Sequence, residues 1–172
     1  MSASTWSRLE RGMATRVAVV DLARALAVVG LDLHLRAYLG GAPLRDAPHA
    51  ELLERLRSRL GSGARWNTEV PLPGSGDRRA WDALIIVSGV RVGVEAETRV
   101  RDTQALQRRL SLKRRDGGVD HVVLLLADSR HNRVFVRDAP PGFLVDFPVS
   151  GRAALRKLER GEDPGGSAIV LL

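Results

Sequence analysis

The sequence predicts an α/β fold with the order α-β-β-β-α-β from about residue 45, preceded by a partial helical element. Three observations carry this reading. Two strand-like runs, 81–87 and 90–97, are joined by Ser88–Gly89, a two-residue turn of hairpin type. A helical stretch at 102–115 follows the hairpin directly and leads into 121–127, a short Val/Leu-rich run that reads as a buried strand. A further helix with Leu53, Leu56 and Leu60 on one stripe precedes the hairpin, so helices and strands alternate as in layered α/β proteins.

Taken in order, residues 2–10 read as a short helix stopped by Gly12. Thr15 is placed to cap a helix at 17–29, which is apolar nearly all round and therefore expected to be buried, and Gly30 ends it. Residues 31–35 alternate apolar and polar like a strand with one wet face. Gly40, Gly41 and Pro43 set a boundary that divides the chain into 1–41 and 42–172. Asp46 and Pro48 open the helix that runs to about Leu60 and closes at 61–63. A strand at 66–72 and a polar loop with Pro73, Gly74 and Gly76 lead to the hairpin. Beyond 127, residues 129–138 read as helical and 143–147 as extended. Ser150 caps a short helix stopped at Gly161, and 168–172 is a closing apolar strand.

The 172 residues suit one domain with a small appendage. Hydrophobic residues at 44% and charged residues at 27% exclude a mainly disordered chain. The absence of cysteine excludes disulfides, zinc–thiolate sites, thiolate nucleophiles and iron–sulfur clusters. No apolar run approaches the ~18 residues a bilayer span requires, and the N-terminus lacks the order of a signal peptide. A cytoplasmic protein with no membrane partner is the expectation. The formal net charge is +7, and all basic residues but Lys113 and Lys157 are arginine. GC-rich codon usage accounts for the Arg/Lys ratio, whereas the net surplus permits a polyanionic partner.

The hairpin carries the chemistry. Its two-residue turn sets Asp82 opposite Glu95, with Glu97 two residues on along the same face. The other face, Trp81, Ala83, Ile85, Val87, Val90, Val92, Val94 and Ala96, is wholly apolar. Carboxylates this close oppose each other's ionisation unless a cation intervenes. Either a hard divalent ion bound to the oxygens or nearby arginines would relieve them, with Arg78, Arg79 and Arg99 as candidates. Glu69 on the preceding strand could join either arrangement. Residues 99–116 then hold seven basic groups against Asp102 and Asp116, a net +5. On the helix, Gln104, Arg108 and Arg115 line one polar flank, and Arg109 and Lys113 another. A solvated face is the plain reading, but positive charge beside an acidic site is where a phosphodiester backbone would lie. On that argument Arg99, Arg101, Gln104, Arg108, Arg109 and Arg115 are the candidate DNA contacts. His49 falls near the apolar stripe of its helix and reads as a packing residue, and His34, His121 and His131 have no metal-ligand spacing.

Asp82, the triplet Glu95-Ala96-Glu97, the basic helix and the buried strand together resemble the PD-(D/E)XK nuclease superfamily over residues 45–127. The resemblance implies a restriction-endonuclease-like core. It implies Mg²⁺ or Mn²⁺ held by Asp82 and Glu95, with Glu69, Glu51 or Glu54 as an additional acid, and hydrolysis of a phosphodiester. Glu97 stands where the family usually has lysine; in some members the lysine comes from the following helix, a part that Lys113 would play. The implied catalytic set is therefore Asp82, Glu95, Glu97 and Lys113. Separately, Ser7-Arg8-Leu9-Glu10-Arg11-Gly12 with 17–31 resembles the second half of an XRE (Cro-type) helix-turn-helix over residues 2–36, without its first two helices. That resemblance allows a homodimer but not autonomous major-groove reading. Asp128-Ser129-Arg130-His131-Asn132-Arg133 resembles an Asp-Thr-Arg-x-Asn-Arg segment that follows the buried strand in bacterial proteins joining such a helix-turn-helix element to a nuclease-like domain; a helix cap with surface charges accounts for it equally well.

Three functions follow as expectations. The first is a DNA-binding, transcriptional-regulator-like protein whose nuclease-like domain has altered or lost catalysis. The second is a Mg²⁺-dependent DNA endonuclease. The third is an antitoxin-like protein-interaction domain with a structural acid cluster.

Overall fold

A computed structural model of the chain describes residues 6–7, 11, 17–31, 33, 43–74 and 79–172. The chain divides into two compact units, 1–41 and 42–172. In the first, helix α1 spans Val19–Val28, with Ala18 rather than Thr15 at its N-cap. Gly30, at φ +76°, ends it: the Gly30 and Leu31 N–H groups return to Ala27 and Leu26. The expected burial of α1 is not seen. Only Ala25 is buried, while Val19, Val20, Val28 and Val29 are exposed. A 41-residue unit has too little chain to enclose an apolar helix on every side. Trp6 and Ser7 are helical, and Leu31 and Leu33 lie in no strand; the rest of the expected 2–10 helix and 31–35 strand, with Gly12 and Thr15, lies outside the described residues.

The second unit is a mixed α/β layer structure. Its elements are α2 (Pro43–Arg57), β1 (Arg65–Pro71), β2 (Ala80–Val87), β3 (Val90–Glu97), α3 (Thr103–Asp116), β4 (His121–Leu126), α4 (Arg130–Asp138), α5 (Pro141–Leu144), α6 (Gly151–Glu159) and β5 (Ala168–Leu171). The five strands lie in sequence order. The first three are antiparallel, and β4 and β5 add in parallel, each after a helical crossover. Ser88 and Gly89, both at positive φ, make the tight hairpin turn.

Two apolar layers hold the sheet. On one face, Leu52 and Leu56 of α2 and Leu155 and Leu158 of α6 pack on Ala83, Ile85, Val92, Val94, Val123 and Val170. On the other, Leu106 and Leu110 of α3 and Phe143 of α5 pack on Trp81, Val122, Leu124 and Leu126. Leu52 replaces the expected Leu53 as the buried member of the α2 stripe. Residues 143–147 are not extended: Pro140–Pro141 start a helical turn, for which a fixed φ is pre-organised, and Phe143 inserts edge-on against Phe135.

Trp81 corrects a further expectation. It leaves the face of Ala83, Ile85 and Val87 and packs on the opposite one. Room for its ring is made by glycine: a Cβ on Gly93 would meet the indole at 2.8 Å. Gly93→Ala should therefore overpack the α3 face and cost about 1–3 kcal/mol in urea denaturation. Combining it with Trp81→Leu should recover part of the loss, whereas additive losses would show that the ring is not the obstacle.

Candidate functional site

The sheet loses its regularity on both sides of β2 at the level of Asp82, while β3 keeps its ladder to β4. The β1–β2 ladder passes from Thr68–Ala83 to Val70–Trp81, and Glu69 between them is held at φ +50°. A non-glycine residue there carries backbone strain of about 1 kcal/mol or more. On the other side, the β2–β3 ladder runs in the expected register from Val87–Val90 to Ala83–Val94 and stops. Asp82 is thus not laddered opposite Glu95, and the expectation of three carboxylates sharing one face is corrected. The strands fork, and the Asp82 carboxylate crosses the gap: its Oδ2 accepts the Ala96 N–H at 2.8 Å. A side chain supplies the acceptor that the diverging strand no longer offers.

Glu95 projects from β3 toward α3 and is buried, with 4% of its surface exposed. Its neighbours Val94 and Ala96 belong to the opposite layer, as strand alternation requires. Asp102 caps α3 by accepting the Ala105 N–H, and Leu106 and Leu110 dock the helix on the sheet. That docking turns Arg109 and Lys113, four residues apart, toward β3. Lys113 Nζ lies 2.6 Å from Glu95 Oε2 and 2.7 Å from the Ala80 carbonyl, and it stands over the Trp81 ring. Arg109 Nε donates to Glu95 Oε1 at 2.9 Å, and its Nη2 bonds Glu97. One guanidinium therefore bridges both acids of the triplet.

His49, on the buried stripe of α2 at i and i+3 from Leu52, completes the cluster from the other side, with Nε2 3.4 Å from Asp82 Oδ2. Its hydrogen bond to Asp82 raises the His49 pKa above its usual 6.5, against the effect of burial; the charges of Asp82, Glu97 and Glu95 act in the same direction as the bond. Burial would lift Asp82, but the His49 and Ala96 hydrogen bonds and the charges of His49 and Lys113 outweigh it and hold this carboxyl low. Burial and the Asp82 charge push Glu95 up, while Lys113 and Arg109 oppose the rise.

The fold thus brings together Asp82, Glu95, Glu97 and Lys113. Arg109 is turned inward onto the acids rather than outward to a ligand, because Glu95 and Glu97 lie within its reach. Glu69 is exposed on β1. Arg115 is exposed but paired with Asp116, and Arg79 pairs with the same carboxylate, which is held far below the usual range by the two guanidinium hydrogen bonds. Arg99 is exposed, and Arg78 lies outside the described residues, so the counter-cations of the acids are Arg109 and Lys113 rather than the expected arginines. Arg99, Arg101, Gln104 and Arg108 are exposed, and no ion pair joins the three arginines to a described residue. His49 was legible only as a packing residue, although its place on the α2 stripe aims it at the sheet. Among the described residues no three acidic or histidine side chains stand close enough to hold a metal ion.

No family model, curated protein or solved structure matches the chain.

Lys113→Met should leave Glu95 buried beside one cation fewer and destabilise the fold by about 3 kcal/mol in chemical denaturation. The double variant with Glu95→Leu should recover most of that loss; an unchanged loss would show that the pair is not what the substitution breaks. In an NMR titration His49 should titrate above 6.5, and Asp82→Asn should bring it back toward that value. Because the folded-state pKa is raised, the stability from this pair is complete below the unfolded value and is lost as pH rises through the folded one.

Proposed function

We propose that the chain is a DNA-binding, transcriptional-regulator-like protein whose 42–172 unit keeps a nuclease-like arrangement with altered or lost catalysis. The observation that carries the second half is the guanidinium of Arg109 bridging Glu95 and Glu97 while Lys113 takes the other oxygen of Glu95. A resident Mg²⁺ or Mn²⁺ would need those oxygens, because hard cations take oxygen ligands. The donor set as folded does not fit such an ion: its negative charge is answered by cations of the chain itself. The element order α-β-β-β-α-β over residues 43–126 and the strand fork at Asp82 support a restriction-endonuclease-like reading of the core.

The DNA-binding half rests on charge that remains outside the cluster. Arg99 and Arg101 leave β3 just after Glu97, and Gln104 and Arg108 continue along the exposed side of α3. Guanidinium groups without a carboxylate partner are suited to phosphate oxygens.

A metal-dependent endonuclease is the second reading, favoured by the buried Lys113 presented to Glu95 by the helix that follows the hairpin. Supercoiled DNA incubated with Mg²⁺ or Mn²⁺ separates the two. Binding without nicking is expected; cutting that both Asp82→Ala and Glu95→Ala abolish would establish the second reading instead.

Duplex affinity should fall steeply with salt. The triple variant Arg99→Glu, Arg101→Glu, Arg108→Glu should weaken it at least about tenfold and flatten the log–log salt slope by about 2–3. A wild-type chain that binds no duplex at low salt would sink both readings in favour of a protein-interaction domain.

A further inference from the structure

We propose that Asn132 is a positioning residue for the loop 98–101, holding Arg99 and Arg101 in the wall of the cavity beside Glu97. The inference rests on the DNA-binding reading above and names the residue that shapes its contact loop.

The loop joins β3 to α3 and has no regular structure of its own. Together with Glu97 and Arg109 it lines a cavity of about 320 Å³, into whose wall Arg99 and Arg101 are built. Asn132 stands in the first turn of α4, where the Ser129 hydroxyl caps the helix by accepting the Asn132 N–H. Its side chain is fully buried. The amide Nδ2 donates to the Thr98 carbonyl at 3.0 Å and to the Ala127 carbonyl at 2.8 Å, and Oδ1 accepts the Val100 N–H at 3.2 Å.

Both residues that flank Arg99 are therefore tied to one side chain. The adjacent His131 ring reaches the Val100 carbonyl at 2.6 Å, and the Val100 side chain is itself buried. Burying a primary amide is costly unless its hydrogen bonds are made, and here both donors and the acceptor are engaged. A backbone anchored in this way on both sides of Arg99 is already ordered, so less conformational freedom is lost when the loop meets an anion.

A double-mutant cycle tests the assignment. Duplex affinity is measured by fluorescence anisotropy for wild type, Asn132→Ala, Arg99→Ala/Arg101→Ala and the combination, well below the unfolding temperature of each. Asn132→Ala should weaken binding about fivefold in the wild-type background and by less than about twofold where both arginines are already gone. His131→Ala, at an exposed position, should show the same non-additivity with a smaller effect and serves if Asn132→Ala does not fold. Amide exchange at Val100 should accelerate in the Asn132 variant. If the double arginine variant weakens binding but the Asn132 and His131 effects are absent or simply additive, the positioning role is overturned while DNA binding stands. If wild type binds no duplex, the functional reading falls and this inference with it.

Discussion

The second unit is organised around an ion pair that the interior has to accommodate, Lys113 with Glu95. Both side chains are less than one-tenth exposed, and their charged atoms stand 2.6 Å apart. Removing two charges from water costs several kcal/mol per ion, and their attraction offsets this only when the remaining hydrogen-bonding capacity is used. Here it is used: Ala80 accepts from Lys113, Arg109 donates to the second oxygen of Glu95, and the Trp81 ring faces the ammonium. The surroundings follow from that requirement. Trp81 has to reach the α3 face, so β2 breaks its alternation. Glycines at 93 and 117 leave the indole room, since a Cβ at either would approach the ring within 3 Å. A pair of this kind adds little net stability compared with well-packed apolar residues of the same size. The needs of the core alone therefore do not account for it.

The fork between β2 and β3 follows from the same geometry. Once Trp81 crosses to the α3 face, Asp82 can no longer continue the ladder, and its carboxylate takes over as acceptor for Ala96. Glu69, at the same level on β1, adopts a left-handed backbone. Irregularity on both sides of β2 is thus concentrated beside the acidic side chains, a distribution more common at functional sites than in sheets built only for stability. Within the cluster, Asp82, Glu95 and Glu97 face His49, Arg109 and Lys113. Burial and the Asp82 charge act upward on Glu95, while hydrogen bonds hold Asp82 down, so the two carboxyls are pushed in opposite directions.

What the sequence made legible depended on how local the determining physics was. The Ser88–Gly89 turn specifies a hairpin and its register within ten residues, and the α3 stripe of Leu106 and Leu110 places that helix without knowledge of the rest. Gly30, Ser150 and Gly161 acted as the expected punctuation. Strand alternation, by contrast, assumes that a strand stays in its ladder, and the crossing of Trp81 is decided by glycines 12 and 36 residues away. The counter-cations were misplaced for a similar reason. Arginines next to the acids in sequence are the natural partners by position, but a docked helix brings position 109 closer than position 99. The α2 stripe aimed His49 at the sheet, but that the residue it would meet there is Asp82 is a tertiary fact with no local signal.

The fate of the basic segment 99–116 bears most directly on function. Its surplus of five charges looks in sequence like a continuous cationic surface, yet the fold divides it. Arg109 and Lys113 neutralise the acids, Arg114 lies 3.6 Å from Asp146, and Arg115 pairs with Asp116. Arg99, Arg101 and Arg108 remain, at the end of β3 and along the outer side of α3. A uniformly basic surface would attract any polyanion through its general field, with little dependence on which arginine is removed. The three arginines left over are exposed, two of them on a loop whose backbone is fastened at Thr98 and Val100 by a buried asparagine, so what they can meet depends on where the fold puts that loop and the outer side of α3. A phosphodiester backbone offers negative charge at a regular repeat, so on the proposed DNA-binding reading the division of charge by the fold matters more than its total.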